Sequence, residues 1–260
     1  MARETFKVRF LIVFAVSLAG CGSRSAAPPP PGRDAAPDES RPTGVTWHGS
    51  VYEGLLGPDG GSAPLAAARV CIVDHPEIAC ATTDTDGTYT MTVPAVDASA
   101  RWAVNFTAPG HVGSTIALDG SWPTGVGLLP DDWARSTATQ AGFQYPSQGT
   151  AFIRLRVGNG PGLAGATATL SPPSGVGPVY GDESGNPAPA LTSTSSSGIV
   201  LFGNVTPGLF TISVTLPGRT CDCCDQGRLT GWEWTGPTPD TLVSVTAPDS
   251  ITDNLYMYCY

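Results

Sequence analysis

The chain has 260 residues with 13 basic and 22 acidic side chains, a net charge of −9. An excess of carboxylates repels phosphate backbones and anionic head groups, which excludes nucleic acid as a partner and electrostatic adhesion to membranes. Gly (32) and Pro (25) are abundant, yet β-branched and aromatic residues run throughout, a balance that predicts many turns joining short strands rather than disorder.

Arg3, Lys7 and Arg9 precede an apolar run from Phe10 to Leu18, the charged-then-apolar order of an export signal. A helix of that run reaches only about 14 Å, against a bilayer core of roughly 30 Å, so it does not span a membrane. The run ends in Leu18-Ala19-Gly20-Cys21. These four residues resemble the lipobox of bacterial lipoproteins. The resemblance implies a signal peptide over residues 1–20 and acylation of Cys21, so that covalent lipid is the only attached group expected. It also implies a protein of the bacterial cell envelope, held to the membrane through its lipid. Gly22 stands where inner-membrane retention would have Asp, which favours the outer membrane, with the domains facing either the periplasm or the surface.

Residues 21–44 are rich in Pro, Ala and Ser and include the run Pro28-Pro29-Pro30-Pro31. Such segments stay extended and solvated, so the expectation is a tether. Lipid on Cys21 leaves six of the seven cysteines, an even number suited to disulfides in an oxidising compartment.

From Val45 the pattern turns to β. Val45, Trp47, Gly49 and Val51 share one face of a strand, and Leu65 to Val73 reads as a second. Thr83 to Pro94 reads as a hairpin in which Asp86-Gly87 supplies a positive-φ turn and Tyr89, Met91 and Val93 alternate with threonines. Trp102, Val104 and Phe106 continue the alternation. The run Pro64-Leu65-Ala66-Ala67-Ala68-Arg69-Val70, followed by Thr83-Asp84-Thr85-Asp86-Gly87-Thr88-Tyr89 and Val93-Pro94, resembles the carboxypeptidase regulatory-like family. That resemblance implies a transthyretin-like, seven-stranded β-sandwich over residues 45–120, of a kind that accompanies other domains without catalysing anything.

The β pattern stops between about Gly120 and Gln148. Trp133 to Ala141 reads as a short helix closed by Gly142, so residues 121–148 are expected to be a helical connector. Beyond it the pattern repeats at a spacing near one hundred residues. Pro161-Gly162-Leu163-Ala164-Gly165-Ala166 echoes the Pro64 segment, and Gly198 to Gly208 echoes the strand after Gly87. Ala151 to Val157, Phe210 to Leu216 and Leu255 to Tyr260 alternate as further strands. This half also resembles small myxobacterial-type lipoproteins that end in a paired cysteine and a closing strand. The fold class expected is therefore all-β, two tandem transthyretin-like or Ig-like antiparallel sandwiches, the second spanning residues 149–260.

Cys71 and Cys80 bracket a short loop, which predicts a disulfide, with His75 inside the loop as the one argument for a metal. Cys221, Cys223, Cys224 and Cys259 lack the two matched pairs of a zinc site and the helix-opening pair of a thiol oxidoreductase. Two disulfides are expected among them, and the spacing leaves open which partner Cys259 takes. Asp84 and Asp86 precede a glycine, but a calcium loop needs a distal carboxylate in register, and a plain turn fits better. No metal site is expected. Trp232 and Trp234 flank Glu233, an arrangement that can stack a sugar ring and also one that packs a core. His48, His75 and His111 are the only histidines, and none sits in a catalytic motif. The expectation is a non-enzyme with a structural or protein-binding role, its partners being envelope proteins; the alternative is a carbohydrate-binding accessory module for cell-wall or surface glycans.

Overall fold

Alternation of apolar and polar residues becomes strands whose apolar face is buried. In the computed structural model the residues described are 44–54, 62–94, 102–118, 125–158, 161–223, 234–235 and 238–260. Residues 1–20, Cys21 and the tether up to residue 43 lie outside them. The first half holds β1 (Val45–Glu53), β2 (Arg69–Ile72), β3 (Ala81–Thr82), β4 (Thr88–Val93), β5 (Trp102–Thr107), β6 (Gly113–Leu118) and β7 (Gly125–Leu128). Helix α1 (Asp131–Ala141) follows. The second half holds β8 (Ala151–Val157), β9 (Thr167–Ser171), β10 (Val176–Tyr180), β11 (Ile199–Val205), β12 (Gly208–Thr215), β13 (Cys221–Asp222), β14 (Trp234–Thr235), β15 (Thr241–Thr246) and β16 (Ser250–Cys259). The chain is thus all-β apart from one described helix, in mixed and antiparallel sheets with a sandwich-like arrangement.

Two small sheets, β4-β1-β7 and β14-β15-β12-β9, face one long sheet of order β10-β11-β8-β16-β6-β5-β2-β3, onto which β13 adds beside β16. In the first half Tyr89, Met91 and Val93 of β4 meet Trp102, Val104 and Phe106 of β5 across a core that also takes Val51, Val70 and Ile116. In the second, Ile153, Leu155 and Val157 of β8 face Phe210, Ile212 and Val214 of β12, with Leu255 and Met257 of β16. The alternating threonines of β4 and the tyrosines of β16 lie on the opposite faces, as the period of two requires.

Three features depart from the sequence expectations. Leu65 to Ala68 is a turn with Ala67 at φ 58°, so the second strand begins only at Arg69. The segment around Asp86-Gly87 does turn at positive φ, but its flanking strands do not pair with each other. β3 joins β2 in the long sheet while β4 joins β1 in the small one, so the turn carries the chain from one layer to the other. Finally, Gly125–Leu128, inside the expected connector, is a strand running parallel to β1, from Ser50↔Gly125 to Glu53↔Leu128. With two glycines in four residues its alternation is too short to register in the sequence.

The helix forms where expected. Asp131 and Asp132 occupy its positive first turn, and Gly142, at φ 79°, ends it in the left-handed conformation with its N–H and that of Phe143 on the carbonyls of the last turn. It does not act as a spacer. Ala134, Ala138 and Ala141 let it lie close on the outer face of the second half, where Phe152, Ile199, Leu201 and Ile251 form a third core with Phe143. The Phe143 ring lies flat over Gly203, where any Cβ would strike it. The halves are also joined directly, because β16 pairs in parallel with β8 and, through Ser250 and Ile251, with β6. Thr115 Oγ1 and Ser250 Oγ hydrogen-bond at 2.8 Å across that join.

The internal repeat extends to individual hydrogen bonds. In the first half Val51 N–H donates to Gly87 O (2.8 Å), Leu65 N–H to Val51 O (2.9 Å) and Thr83 N–H to Ala68 O (2.9 Å). Buried Thr83 Oγ1 accepts from Ala68 N–H at 2.9 Å and donates to Leu65 O at 2.6 Å. In the second half Val157 N–H donates to Gly198 O (2.8 Å), Leu163 N–H to Val157 O (2.9 Å) and Thr194 N–H to Ala166 O (2.9 Å). Buried Thr194 Oγ1 accepts from Ala166 N–H at 2.9 Å and donates to Leu163 O at 2.6 Å. Pairing recurs with it: β1 with β4 and β7, β2 with β5, and β5 with β6 correspond to β8 with β11 and β16, β9 with β12, and β12 with β15.

Candidate functional site

The cysteines divide as their positions on the sheets dictate. Cys71, one residue before the end of β2, bonds Cys80, which stands just before β3, closing a loop that returns the chain to the neighbouring strand. Inside the loop His75 donates from Nδ1 to Glu77 Oε1 at 2.9 Å, and its ring packs against Trp102 at 5.2 Å. The same bond holds the Glu77 carboxyl below its ordinary pKa. His75 is therefore turned to its own loop, and among the described residues no three His, Cys, Asp or Glu side chains converge as metal ligands.

At the other end Cys259 takes Cys221 as its partner, resolving the choice that spacing left open. The two are register neighbours on β16 and β13, so the bond crosses adjacent strands. Asp240 reinforces the clamp, its carboxylate accepting from Cys221 N–H while its own N–H donates to Cys221 O at 2.8 Å. Arg219 adds a bond to Cys259 O. Cys223 is buried in the second core. Cys224 and Trp232 lie outside the described residues, and of Trp234 the backbone is placed on β14, opposite Val243.

Asp84 is occupied by its own turn. Its Oδ1 accepts from Asp86 N–H and Thr88 N–H, and its Oδ2 from Thr88 Oγ1 at 2.7 Å, bonds that favour the carboxylate and lower its pKa. Asp182 is held likewise by Ser184 N–H and Asn186 N–H. Both are turn-forming carboxylates rather than cation ligands.

The densest polar group sits where β1, the β5–β6 turn and α1 meet. His111 Nδ1 donates to Pro109 O at 2.9 Å and Nε2 to Glu53 Oε2 at 2.8 Å, with side chains only 13% and 27% exposed. Both ring nitrogens face acceptors, which requires the doubly protonated imidazolium. Burial opposes that charge, but the bonds to Glu53 and Pro109 and the nearby Asp131 outweigh it and raise the His111 pKa. Asp131 in turn accepts from the Tyr145 hydroxyl. Burial first, then that bond, keep Tyr145 protonated far above its usual range, and the Arg135 guanidinium covers its ring at 4.2 Å. The group fastens the helix to the first half; both ring nitrogens of His111 are engaged, while Glu53 Oε1 is buried without a hydrogen-bond partner. His48 is exposed and bonded at Nδ1 to Thr90 Oγ1. Glu53 and His111 are 58 positions apart, and no local pattern announces the pair.

The raised His111 pKa fixes a pH dependence. The charged form is favoured by folding, so its contribution is complete below the unfolded value of about 6.5 and disappears as pH rises through the higher folded value. Urea unfolding followed upward from pH 6 should show falling stability over that window. In Glu53→Gln the slope should flatten, with about 1–2 kcal/mol lost at pH 6. An unchanged slope would show that the pair does not carry it.

No family model matches the chain, and no curated protein matches it. Among solved structures, one titled "The Bacillus anthracis TIE protein" aligns over 83% of this chain at 13% identity and a TM-score of 0.23. The chain spans about a third (34%) of that protein's length. An overlap so small in three dimensions bears on neither fold family nor function.

Proposed function

We propose that the chain is a non-catalytic lipoprotein of the bacterial cell envelope, anchored through lipid on Cys21 and serving a structural or protein-binding role there. Its folded part is, in this reading, a pair of transthyretin-like β-sandwiches that arose as copies of one unit, with α1 as the joint. The observation that carries the anchor is the order of basic residues, apolar run and Leu18-Ala19-Gly20-Cys21. Two disulfides, Cys71–Cys80 and Cys221–Cys259, support an exported chain, since such bonds form and persist in oxidising compartments. The recurring threonine bridges at Thr83 and Thr194 support the duplication. A binding or scaffolding role suits a fold whose histidines and turn carboxylates are engaged within it.

Each buried methylene of an acyl chain contributes about 0.8 kcal/mol, so several chains on one residue hold a protein to a bilayer for good. Expression of the full chain in a bacterial host with a labelled fatty acid tests this. Label should enter the wild-type protein and be lost from Cys21→Ala, which should remain an unprocessed or freely soluble precursor. Label persisting in Cys21→Ala overturns the anchor.

A further inference from the structure

The outer face of β8 presents Phe152, Arg154 and Arg156 in turn, and their surroundings differ. Phe152 is wholly buried beneath the helix region. Arg154 stands at the helix margin, its guanidinium 5.6 Å from the Trp133 ring centre and bonded to Asp253 at 3.2 Å. Its charge is matched. Arg156 lies one step beyond the cover, between Ile199 on β11 and Tyr256 on β16. Its Nε is buried without a hydrogen-bond partner. A guanidinium N–H that has lost water and gained no acceptor is costly to the fold, and an incoming oxyanion would remove that cost.

A hollow of about 290 Å³ opens in front of these two arginines, walled by Ser184, Gly185, Ser196 and Ser197. Tyr256 lines the recess beside it together with Arg156. Guanidinium groups grip carboxylates and phosphates through paired N–H donors, serine hydroxyls suit the hydroxyls of a sugar, and a tyrosine ring offers a stacking face. The volume is close to the lower bound of about 300 Å³ for small-molecule sites. Glu183 on the wall opposes an anion, as does Asp253 in the recess, whose charge is paired with Arg154. With a net charge of −9 the chain as a whole does not attract anions, so affinity must come from this local set.

We propose that this hollow binds an acidic saccharide, its carboxylate or phosphate on Arg156 and its ring beside Tyr256. Binding here draws on neither Trp232 nor Trp234 and is independent of the lipid anchor, so either reading can fail alone.

Calorimetric titration of the full chain with trigalacturonate, glucose 6-phosphate and neutral maltotriose tests it. At least one acidic ligand should bind saturably and maltotriose should not. Binding of the uronate alone assigns the group as carboxylate, and binding of the sugar phosphate alone assigns it as phosphate. Arg156→Gln should weaken the bound ligand by roughly tenfold or more, the loss expected for a charge-assisted bond, with a thermal transition no lower than that of the wild type. Glu183→Gln should tighten binding several-fold, and this variant decides the matter if Arg156→Gln does not fold. Failure of both acids to bind, equal binding of maltotriose, unchanged affinity in a folded Arg156→Gln, or no gain in Glu183→Gln overturns the proposal.

Discussion

Gly198→Ala is expected to cost at least about 3 kcal/mol, because two penalties meet at one atom. Gly198 has φ +68°, and a Cβ there would lie 2.1 Å from Val157 O, the backbone of an interior strand of its sheet. Neither partner can yield, since Val157 N–H is itself bonded to Gly198 O. Gly110 provides the comparison, with φ +75° and open space where its Cβ would sit. Gly110→Ala should cost only about 1 kcal/mol, the conformational part alone. Urea unfolding of both variants measures the difference. Equal losses would show that the close approach at Gly198 has no energetic weight.

Removing the Cys221–Cys259 bond should have an effect of similar size. It closes a loop of 38 residues, and loop-closure entropy puts its contribution at about 4 kcal/mol, against about 2.5 kcal/mol for the nine-residue separation of Cys71 and Cys80. The double variant Cys221→Ala/Cys259→Ala is expected to lower the urea midpoint more than Cys71→Ala/Cys80→Ala does. The reverse order would place the weight on the first loop. Because Met257 and Leu255 of the same strand belong to the second core, the loss should appear there first, as earlier hydrogen exchange of β12 and β15 amides.

Where one strand face is buried and the other wet, the period of two was readable directly, as at Tyr89, Met91 and Val93 or at Phe210, Ile212 and Val214. The helix end at Gly142 was readable because only a residue free to adopt positive φ closes a helix in that way. What stayed hidden depends on pairing between distant segments. Nothing near Asp86-Gly87 tells whether its two strands pair with each other or part to opposite layers, since the turn chemistry is the same in both cases. β7 is too short to register as an alternation, and the Glu53–His111 pair is hidden by its separation. The arginines of β8 were legible only as the polar half of an alternation. That one is matched by Asp253 and the other is not follows from their neighbours on β16, where Arg156 stands opposite Tyr256.

The order β4-β1-β7 has a mechanical consequence. The strand that first enters the fold is flanked on both sides, by an antiparallel ladder from Val45↔Val93 to Ser50↔Thr88 and a parallel one from Ser50↔Gly125 to Glu53↔Leu128. Tension arriving through the chain ahead of Val45 therefore meets two ladders of bonds sharing the load, where an edge strand would peel away one bond at a time. A fold entered through its middle strand is suited to being pulled on from that end.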